Sequence, residues 1–221
     1  MSQIKLLQNK TSVTEMVFIL DRSGSMQGLE LDTINGFNEL IAKQKEEPGT
    51  AFVTTVLFDH KIETITDREP LSEVKPLTRE KYYVRGCTAL LDAVGSTIKK
   101  INQLQKACES RPDHTIFVIT TDGYENASEH YSTEKVKRMI EKRKRKNNWE
   151  FIFLGANIDA VKTAASIGID QDHASEYRAD SKGTLLNYQV LSDEVLSCVR
   201  VGASFDGSWK DDIEEDLKCR S

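Results

Sequence analysis

Residues 16–25 read MVFILDRSGS, and this stretch decides the fold that the sequence predicts. Its first five residues are all apolar, which favours a strand that is buried on both faces. A carboxylate and two hydroxyls follow at alternate positions, as Asp21, Ser23 and Ser25. The strand is expected to end where these polar residues begin, so the turn that leaves it can place three oxygen atoms around one hard divalent cation.

The rest of the chain alternates apolar, strand-like runs with amphipathic segments. Further strands are predicted at residues 51–58, 61–66, 115–120, 151–154 and 174–178, and helices at residues 27–46, 89–107, 133–146, 158–167 and 184–199. The strand at 61–66 follows a short turn, so it is expected to pair antiparallel at an edge of the sheet. The alternation predicts a doubly wound α/β fold, with a mostly parallel central sheet and helices on both faces.

Two more oxygen-bearing side chains belong to the same edge of this predicted sheet. Thr88 precedes the helix at 89–107, and Asp122 follows the strand at 115–120. If the second and third strands lie to one side of the first, the first and fourth strands become central neighbours. Ligands of doubly wound sheets bind where the strand order reverses, outside the carboxyl ends of the strands. Asp21 and Asp122 are therefore predicted to stand side by side at that point.

Length, composition and charge narrow the class of protein. The chain has 221 residues, 38% of them hydrophobic, and a net charge of −5, which fits a globular domain and does not favour nucleic-acid binding. No membrane-spanning run and no secretory leader are visible, so a cytoplasmic location is expected. The cysteines follow neither a zinc nor a disulfide spacing and are predicted to be free thiols. An extension is predicted at residues 1–13, one domain at 14–202, and an acidic tail at 203–221, anchored by Phe205 and Trp209.

The D-x-S-x-S run at residues 21–25, followed by a lone Thr88 and a lone Asp122, resembles the metal-ion-dependent adhesion site (MIDAS) of the von Willebrand factor A (VWA) family. The resemblance covers about residues 14–200. The segment TALLD at residues 88–92 is similar to the form seen in bacterial, stand-alone members of the family. The resemblance implies the VWA fold, which agrees with the fold predicted from the strand and helix pattern.

The resemblance also implies a ligand set and a function. Residues that match Ser23, Ser25 and Thr88 supply hydroxyl ligands in the family, and those that match Asp21 and Asp122 act directly or through bound water. Mg²⁺ or Mn²⁺ is therefore expected here, with no catalytic residue and no organic cofactor. Because neutral hydroxyls leave the cation partly uncompensated, it would attract an Asp or Glu side chain of a partner protein. Relatives of this kind often work with AAA+ ATPases or in stress and defence systems, so such a partner is expected.

Other interpretations of the same residues stay open at this point. A metal-assisted phosphohydrolase could use Asp21 and Asp122, although such chemistry usually requires a general acid or base and more carboxylates. The fold could also persist as a scaffold that binds no metal. Asp92 lies one helical turn beyond Thr88 and could either orient the site or serve as a plain surface residue. The basic segment at 135–146 is interpreted as a solvated helix face.

Overall fold

A six-stranded sheet forms the centre of the molecule. The computed structural model describes residues 12–220. The strands in chain order are β1 (Val13–Asp21), β2 (Thr50–Phe58), β3 (Ile62–Pro70), β4 (His114–Thr121), β5 (Trp149–Ala156) and β6 (Ala174–Tyr177). Their order across the sheet is β3-β2-β1-β4-β5-β6, and every neighbouring pair is parallel except β2 and β3. The predicted doubly wound fold with one antiparallel edge strand is confirmed.

Helices cover both faces of this sheet. They are α1 (Glu30–Glu46), α2 (Leu90–Ala107), α3 (Thr133–Asn147), α4 (Ala160–Ser166), α5 (Ser181–Val190), α6 (Ser197–Arg200) and α7 (Asp211–Cys219). One core cluster contains buried side chains of α1, α5, α6 and α7, and the other contains those of α2, α3 and α4. The side chains of β1 alternate between these clusters, since Phe18 belongs to the first and Ile19 to the second. This explains why residues 16–20 are apolar throughout.

The last predicted helix differs from the structure in two ways. It begins earlier, at Ser181, because the Asp180 side chain accepts a hydrogen bond from the backbone N–H of Gly183 (2.8 Å). It is also interrupted by a π-helical segment at Leu191–Leu196, which separates α5 from α6. The carbonyl oxygen of Ser192 in this segment accepts a hydrogen bond from Gln44 Nε2 of α1 (3.1 Å). Tertiary contacts of this kind are not visible in a helical periodicity.

The segment predicted as an acidic tail contains regular structure. A 3₁₀ turn at Gly207–Lys210 leads into α7, and the side chains of Trp209 and Ile213 are buried. Trp209 Nε1 donates a hydrogen bond to the carbonyl oxygen of Asp172 (2.7 Å), so this part of the chain is held against the sheet domain. Most of the predicted extension at 1–13 lies outside the described residues, and the three-part division stays a prediction. Within residues 12–220, no helix is both long and apolar enough to cross a membrane.

The strand order fixes where the predicted site residues meet. In the parallel pair of β1 and β4, Leu20 is opposite Thr120, so Asp21 stands beside Thr121 at the carboxyl end of both strands. The predicted side-by-side placement of the ends of these two strands is confirmed. All loops that leave the carboxyl ends of β1, β2 and β4 therefore emerge at the same edge of the sheet.

Candidate metal site

All five predicted site residues lie together where three loops converge. Asp21, Ser23, Thr88 and Asp122 are buried, whereas Ser25 is exposed. Ser25 Oγ donates a hydrogen bond to Asp122 Oδ1 (2.5 Å) and lies 3.0 Å from Ser23 Oγ. The structure thus joins the turn after β1 to the loop after β4 through side chains that the sequence had singled out.

Asp21 is a buried carboxylate whose two oxygens both accept hydrogen bonds. Its Oδ1 accepts from the backbone N–H of Ser23 (2.7 Å), and its Oδ2 accepts from Thr121 Oγ1 (2.6 Å). Burial raises the pKa of Asp21 to about 6, although the hydrogen bonds from Thr121 and Ser23 lower it; the nearby charge of Asp122 raises it further. Its charged form is therefore stabilised by hydrogen bonds but, within residues 12–220, by no ion pair.

Asp122 has an oxygen atom that nothing in the described chain satisfies. Burial raises the pKa of this carboxyl group, and the hydrogen bond from Ser25 opposes the shift. Within residues 12–220, the buried Oδ2 atom has no hydrogen-bond partner. A buried carboxylate oxygen without a partner is costly, and a cation bound beside it would remove that cost.

Gly123 leaves the space in which two hydroxyls approach. A Cβ atom at this residue would lie 2.9 Å from Ser25 Oγ and 3.1 Å from Thr88 Oγ1. These positions are closer than carbon–oxygen contacts normally allow, so any side chain at residue 123 would push the hydroxyls away. The hydroxyls of Ser25 and Thr88 therefore flank one small cradle next to Asp122. A set of hydroxyl and carboxylate oxygens around such a cradle suits a hard divalent cation.

The loop after β4 holds Thr88 in place. The backbone N–H of Thr88 donates to Asn126 Oδ1 (2.9 Å), and the backbone N–H of Asn126 donates to the Thr88 carbonyl oxygen (3.0 Å). Glu125 accepts from the backbone N–H of Leu91 in the first turn of α2 (2.8 Å). These contacts connect the loop that contains Asp122 to the loop that contains Thr88.

Asp92 supports the same loop from the first turn of α2. Its carboxylate accepts three backbone N–H groups at 2.8–2.9 Å, from Glu129, His130 and Tyr131. The residue is buried, so the interpretation of Asp92 as a plain surface residue is wrong. It acts on the site indirectly, by fixing the course of the chain after Asp122.

A buried ion pair connects the turn after β1 to the loop that carries Thr88. The Arg22 side chain is fully buried, and its Nε donates to Asp59 Oδ2 (2.9 Å). Arg85 Nε donates to the same oxygen (2.8 Å), and the backbone N–H of Ala89 donates to the Asp59 carbonyl oxygen (2.9 Å). Burial raises the pKa of Asp59, but hydrogen bonds from Arg85, the backbone of Lys61 and Arg22 bring it below its ordinary value. Asp59 is therefore a charged centre around which both loops are fixed.

Sequence reasoning raised Asp92 as a residue that could orient the site but missed the other supporting residues. Asp59 follows the last residue of a buried strand, Phe58, just as Asp21 ends β1, and this shared position is a signal that could have revealed it. Asn126 and Glu125 gave no such signal, because their contacts depend on the path of an irregular loop.

The site contains few of the groups that acid–base catalysis requires. Within residues 12–220, no Lys or His side chain hydrogen-bonds to any of the five site residues. The described part of the chain also has no cluster of three or more His, Cys, Asp or Glu side chains arranged to hold a metal. Three of the five candidate residues offer a neutral hydroxyl and two offer a carboxylate, a set of oxygens that suits a hard divalent cation.

Several solved structures share this fold. A VWA protein from Catenulispora acidiphila is 14% identical, with a TM-score of 0.55, over 83% of this chain and 42% of that one. The ArnB paralog VWA2 from Sulfolobus acidocaldarius is 18% identical, with a TM-score of 0.55, over 88% and 46%. Proximal thread matrix protein 1 from the mussel byssus, with a zinc-occupied MIDAS motif, is 14% identical, with a TM-score of 0.58, over 86% and 46%.

These comparisons define the class of protein by its fold. The chain has the fold of von Willebrand factor A domains, as the resemblance implied. It spans less than half the length of each of the three solved structures. No protein-family model matches the sequence, and no curated protein matches it either.

Proposed function

We propose that this chain is a metal-dependent protein-binding module that captures an acidic side chain of a partner protein. Mg²⁺ or Mn²⁺ would be held by Asp21, Ser23, Ser25, Thr88 and Asp122. The observation that carries the proposal is the buried Asp122 Oδ2, which has no partner within residues 12–220, next to Gly123, where the hydroxyls of Ser25 and Thr88 from two other loops converge. The zinc-occupied MIDAS motif of the mussel protein supports a divalent ion at this position of the fold.

The five candidate residues would contribute two kinds of oxygen ligand. Ser23, Ser25 and Thr88 offer neutral oxygens, while Asp21 and Asp122 supply the negative charge. When bound, the ion provides an electrophilic centre that accepts an anionic oxygen ligand. Asp59 and Arg22 keep the two loops at a fixed separation, and Asp92 orients the loop after Asp122. A carboxylate of the partner is the ligand that best complements such a partly neutralised centre.

Capture of a partner from an extract of the native host tests this function. Immobilised wild-type protein with Mg²⁺ is expected to retain a partner that chelator elutes, because the partner is held through the ion. Thr88→Val removes one hydroxyl ligand with little change in volume and is expected to lose both the partner and at least tenfold in Mg²⁺ affinity by calorimetric titration. An AAA+ ATPase, or a component of a stress or defence system, is the kind of partner expected.

A matched variant controls for general damage to the domain. Thr97 is a buried threonine of α2 whose hydroxyl bonds to the carbonyl oxygen of Ala93 (2.7 Å), away from the site. Thr97→Val should bind Mg²⁺ and the partner like wild type. Equal Mg²⁺ affinity in wild type, Thr88→Val and Asp21→Ala would rule out this metal site, and partner retention in chelator would rule out capture through the ion.

The proposal includes the absence of hydrolytic activity. Because no Lys or His side chain within residues 12–220 hydrogen-bonds to the five site residues, no nucleophile–base pair is evident. Purified protein with Mg²⁺ or Mn²⁺ is expected to hydrolyse generic phosphate and carboxylic esters no faster than the buffer does. Metal-dependent turnover that Asp122→Ala abolishes would instead favour the phosphohydrolase that uses Asp21 and Asp122.

A further inference from the structure

A groove opens beside the proposed metal site, between the start of α1 and the loop that precedes Thr88. Its volume is about 540 Å³. The lining residues that matter here are Glu30, Leu31 and Asp32 on one wall and Arg79, Tyr82 and Tyr83 on the other. None of the five candidate metal ligands, and none of the residues described above as supporting them, lines this groove.

The groove is continuous with the loops that carry the candidate metal ligands. The Tyr82 hydroxyl donates to the backbone carbonyl oxygen of Asp21 (2.5 Å). The Tyr83 ring lies 5.5 Å from the guanidinium carbon of Arg22. Gly28, which lines the groove, is three residues beyond Ser25, and three residues span at most about 10 Å. A partner chain that places a carboxylate at the metal therefore reaches the groove within about one to three residues.

The groove presents apolar surface to solvent. Leu31 and Tyr83 are each 44% exposed and both line this one groove. Tyr124 is 63% exposed and directly follows Gly123 in the loop that carries Asp122. Exposed apolar residues that are grouped beside a binding centre mark a surface for protein–protein contact, and tyrosine is enriched among the residues that anchor such contacts.

The charges in the groove are incompletely balanced. Glu30 accepts from the backbone N–H of Gly28 (2.7 Å), and Asp32 accepts from Ser181 Oγ (2.7 Å). Within the described residues, neither carboxylate forms an ion pair, and neither does Arg79. Two carboxylates and one guanidinium leave an excess of negative charge, which a basic side chain of an occupant would complement.

We infer that this groove binds the segment of the partner protein that flanks the captured acidic residue. An apolar side chain one to three positions from the acid packs against Leu31 and Tyr83, and a neighbouring basic side chain faces Glu30 and Asp32. The inference rests on the proposed function and adds a sequence requirement to it, because the metal alone would accept any exposed Asp or Glu.

Selection from a random twelve-residue peptide library displayed on phage tests the inference. Wild-type protein with Mg²⁺ is the target, and Asp21→Ala protein is used to remove peptides that bind elsewhere. The peptides retained are expected to combine an acid with an apolar residue one to three positions away and an adjacent Lys or Arg. Leu31→Ser is expected to weaken a selected peptide about tenfold or more, because it removes apolar surface that the bound peptide would cover.

Two controls separate the groove from the metal. Leu185→Ser replaces a leucine of α5 that is similarly exposed, at 37%, and is expected to leave peptide affinity unchanged. Asp32→Asn keeps an oxygen acceptor for Ser181 and is expected to weaken only those peptides that carry the basic residue. The Mg²⁺ affinity of Leu31→Ser and Asp32→Asn should equal that of wild type.

The possible outcomes distinguish this inference from the proposed function. The selected peptides could need Mg²⁺ and an acid but show no preference at neighbouring positions and no effect of Leu31→Ser. That result would contradict binding of the flanking segment in the groove and leave the proposed function intact. A selection without any Mg²⁺-dependent acidic peptide, from protein that binds Mg²⁺ by calorimetry, would count against capture of an acidic side chain and against the groove with it.

Discussion

Replacing Asp21 with asparagine is expected to stabilise the metal-free protein at pH 7 while abolishing its binding of Mg²⁺. Burial raises the pKa of Asp21 from an ordinary 3.8 to about 6, so the folded, metal-free protein carries a poorly compensated charge at neutral pH. The shift corresponds to about 3 kcal/mol, which is the upper limit of the gain from a neutral side chain. Asparagine can keep the hydrogen bond from the backbone of Ser23, and its amide can donate to Thr121 Oγ1.

The raised pKa of Asp21 also determines how the free energy of unfolding changes with pH. The folded state binds the Asp21 proton more tightly than the unfolded state does, so its contribution to stability is fully present below about pH 4 and is lost as the pH rises through about 6. The difference in unfolding free energy between Asp21→Asn and wild type, both in chelator, should therefore grow between these two pH values and then stay constant.

Urea unfolding at several pH values, with and without Mg²⁺, measures both effects. The exposed Asp212 of α7 supplies a matched control, because Asp212→Asn removes the same charge far from the site. Saturating Mg²⁺ should stabilise wild type and Asp212→Asn but not Asp21→Asn. A metal-free Asp21→Asn protein that is less stable than wild type at pH 7, or one stabilised by Mg²⁺, would contradict the description of Asp21 as an uncompensated metal ligand.

Replacing Asp59 with asparagine is expected to destabilise the protein by about 3 kcal/mol or more. The side chain of Arg22 is fully buried, and removal of its buried counterion leaves the guanidinium with only the half-exposed Glu63 as a carboxylate partner. Arg85 loses the same partner. Because these contacts connect the turn after β1 to the loop that carries Thr88, Mg²⁺ affinity should also fall, although Asp59 itself is not a proposed ligand.

Glu63 provides the comparison for this variant. It forms an ion pair with Arg22 Nη2 (2.9 Å), but its side chain is 47% exposed. Glu63→Gln should therefore cost less than about 1 kcal/mol, because solvent screens such a pair. Urea unfolding and calorimetric titration of both variants check the prediction. Equal, small effects of the two substitutions would show that the buried ion pair does not hold the loops together.

The fold could be predicted because its main determinants are local. The all-apolar run in β1 requires cover on both faces, and the alternation of strands and helices then favours a parallel, doubly wound sheet. Most helix and strand boundaries differ from their predicted positions by three residues or fewer. The π-helical segment at Leu191–Leu196 could not be predicted, because helical periodicity carries no signal for it and its contact with Gln44 is distant in sequence.

The five candidate ligands could be predicted for a different reason. Their residue types match the MIDAS pattern, and the topology brings Asp21 and Asp122 to neighbouring strand ends. The supporting network escaped prediction, since Asn126 and Glu125 act through an irregular loop and Arg22 is a buried cation. A fully buried arginine is rare, and the partners that make its burial tolerable, Asp59 and Glu63, are distant in sequence.

The pairing of β1 with β4 also determines when the site assembles during folding. A hundred residues separate Asp21 from Thr121, whose hydroxyl is bonded to it, and contacts of such long range form late because closing the intervening chain is entropically costly. During synthesis, the turn after β1 leaves the ribosome long before the strand that completes the site. The nascent chain thus has no assembled site for an ion until β4 has paired with β1, and ion binding would report that this central pair of strands has formed.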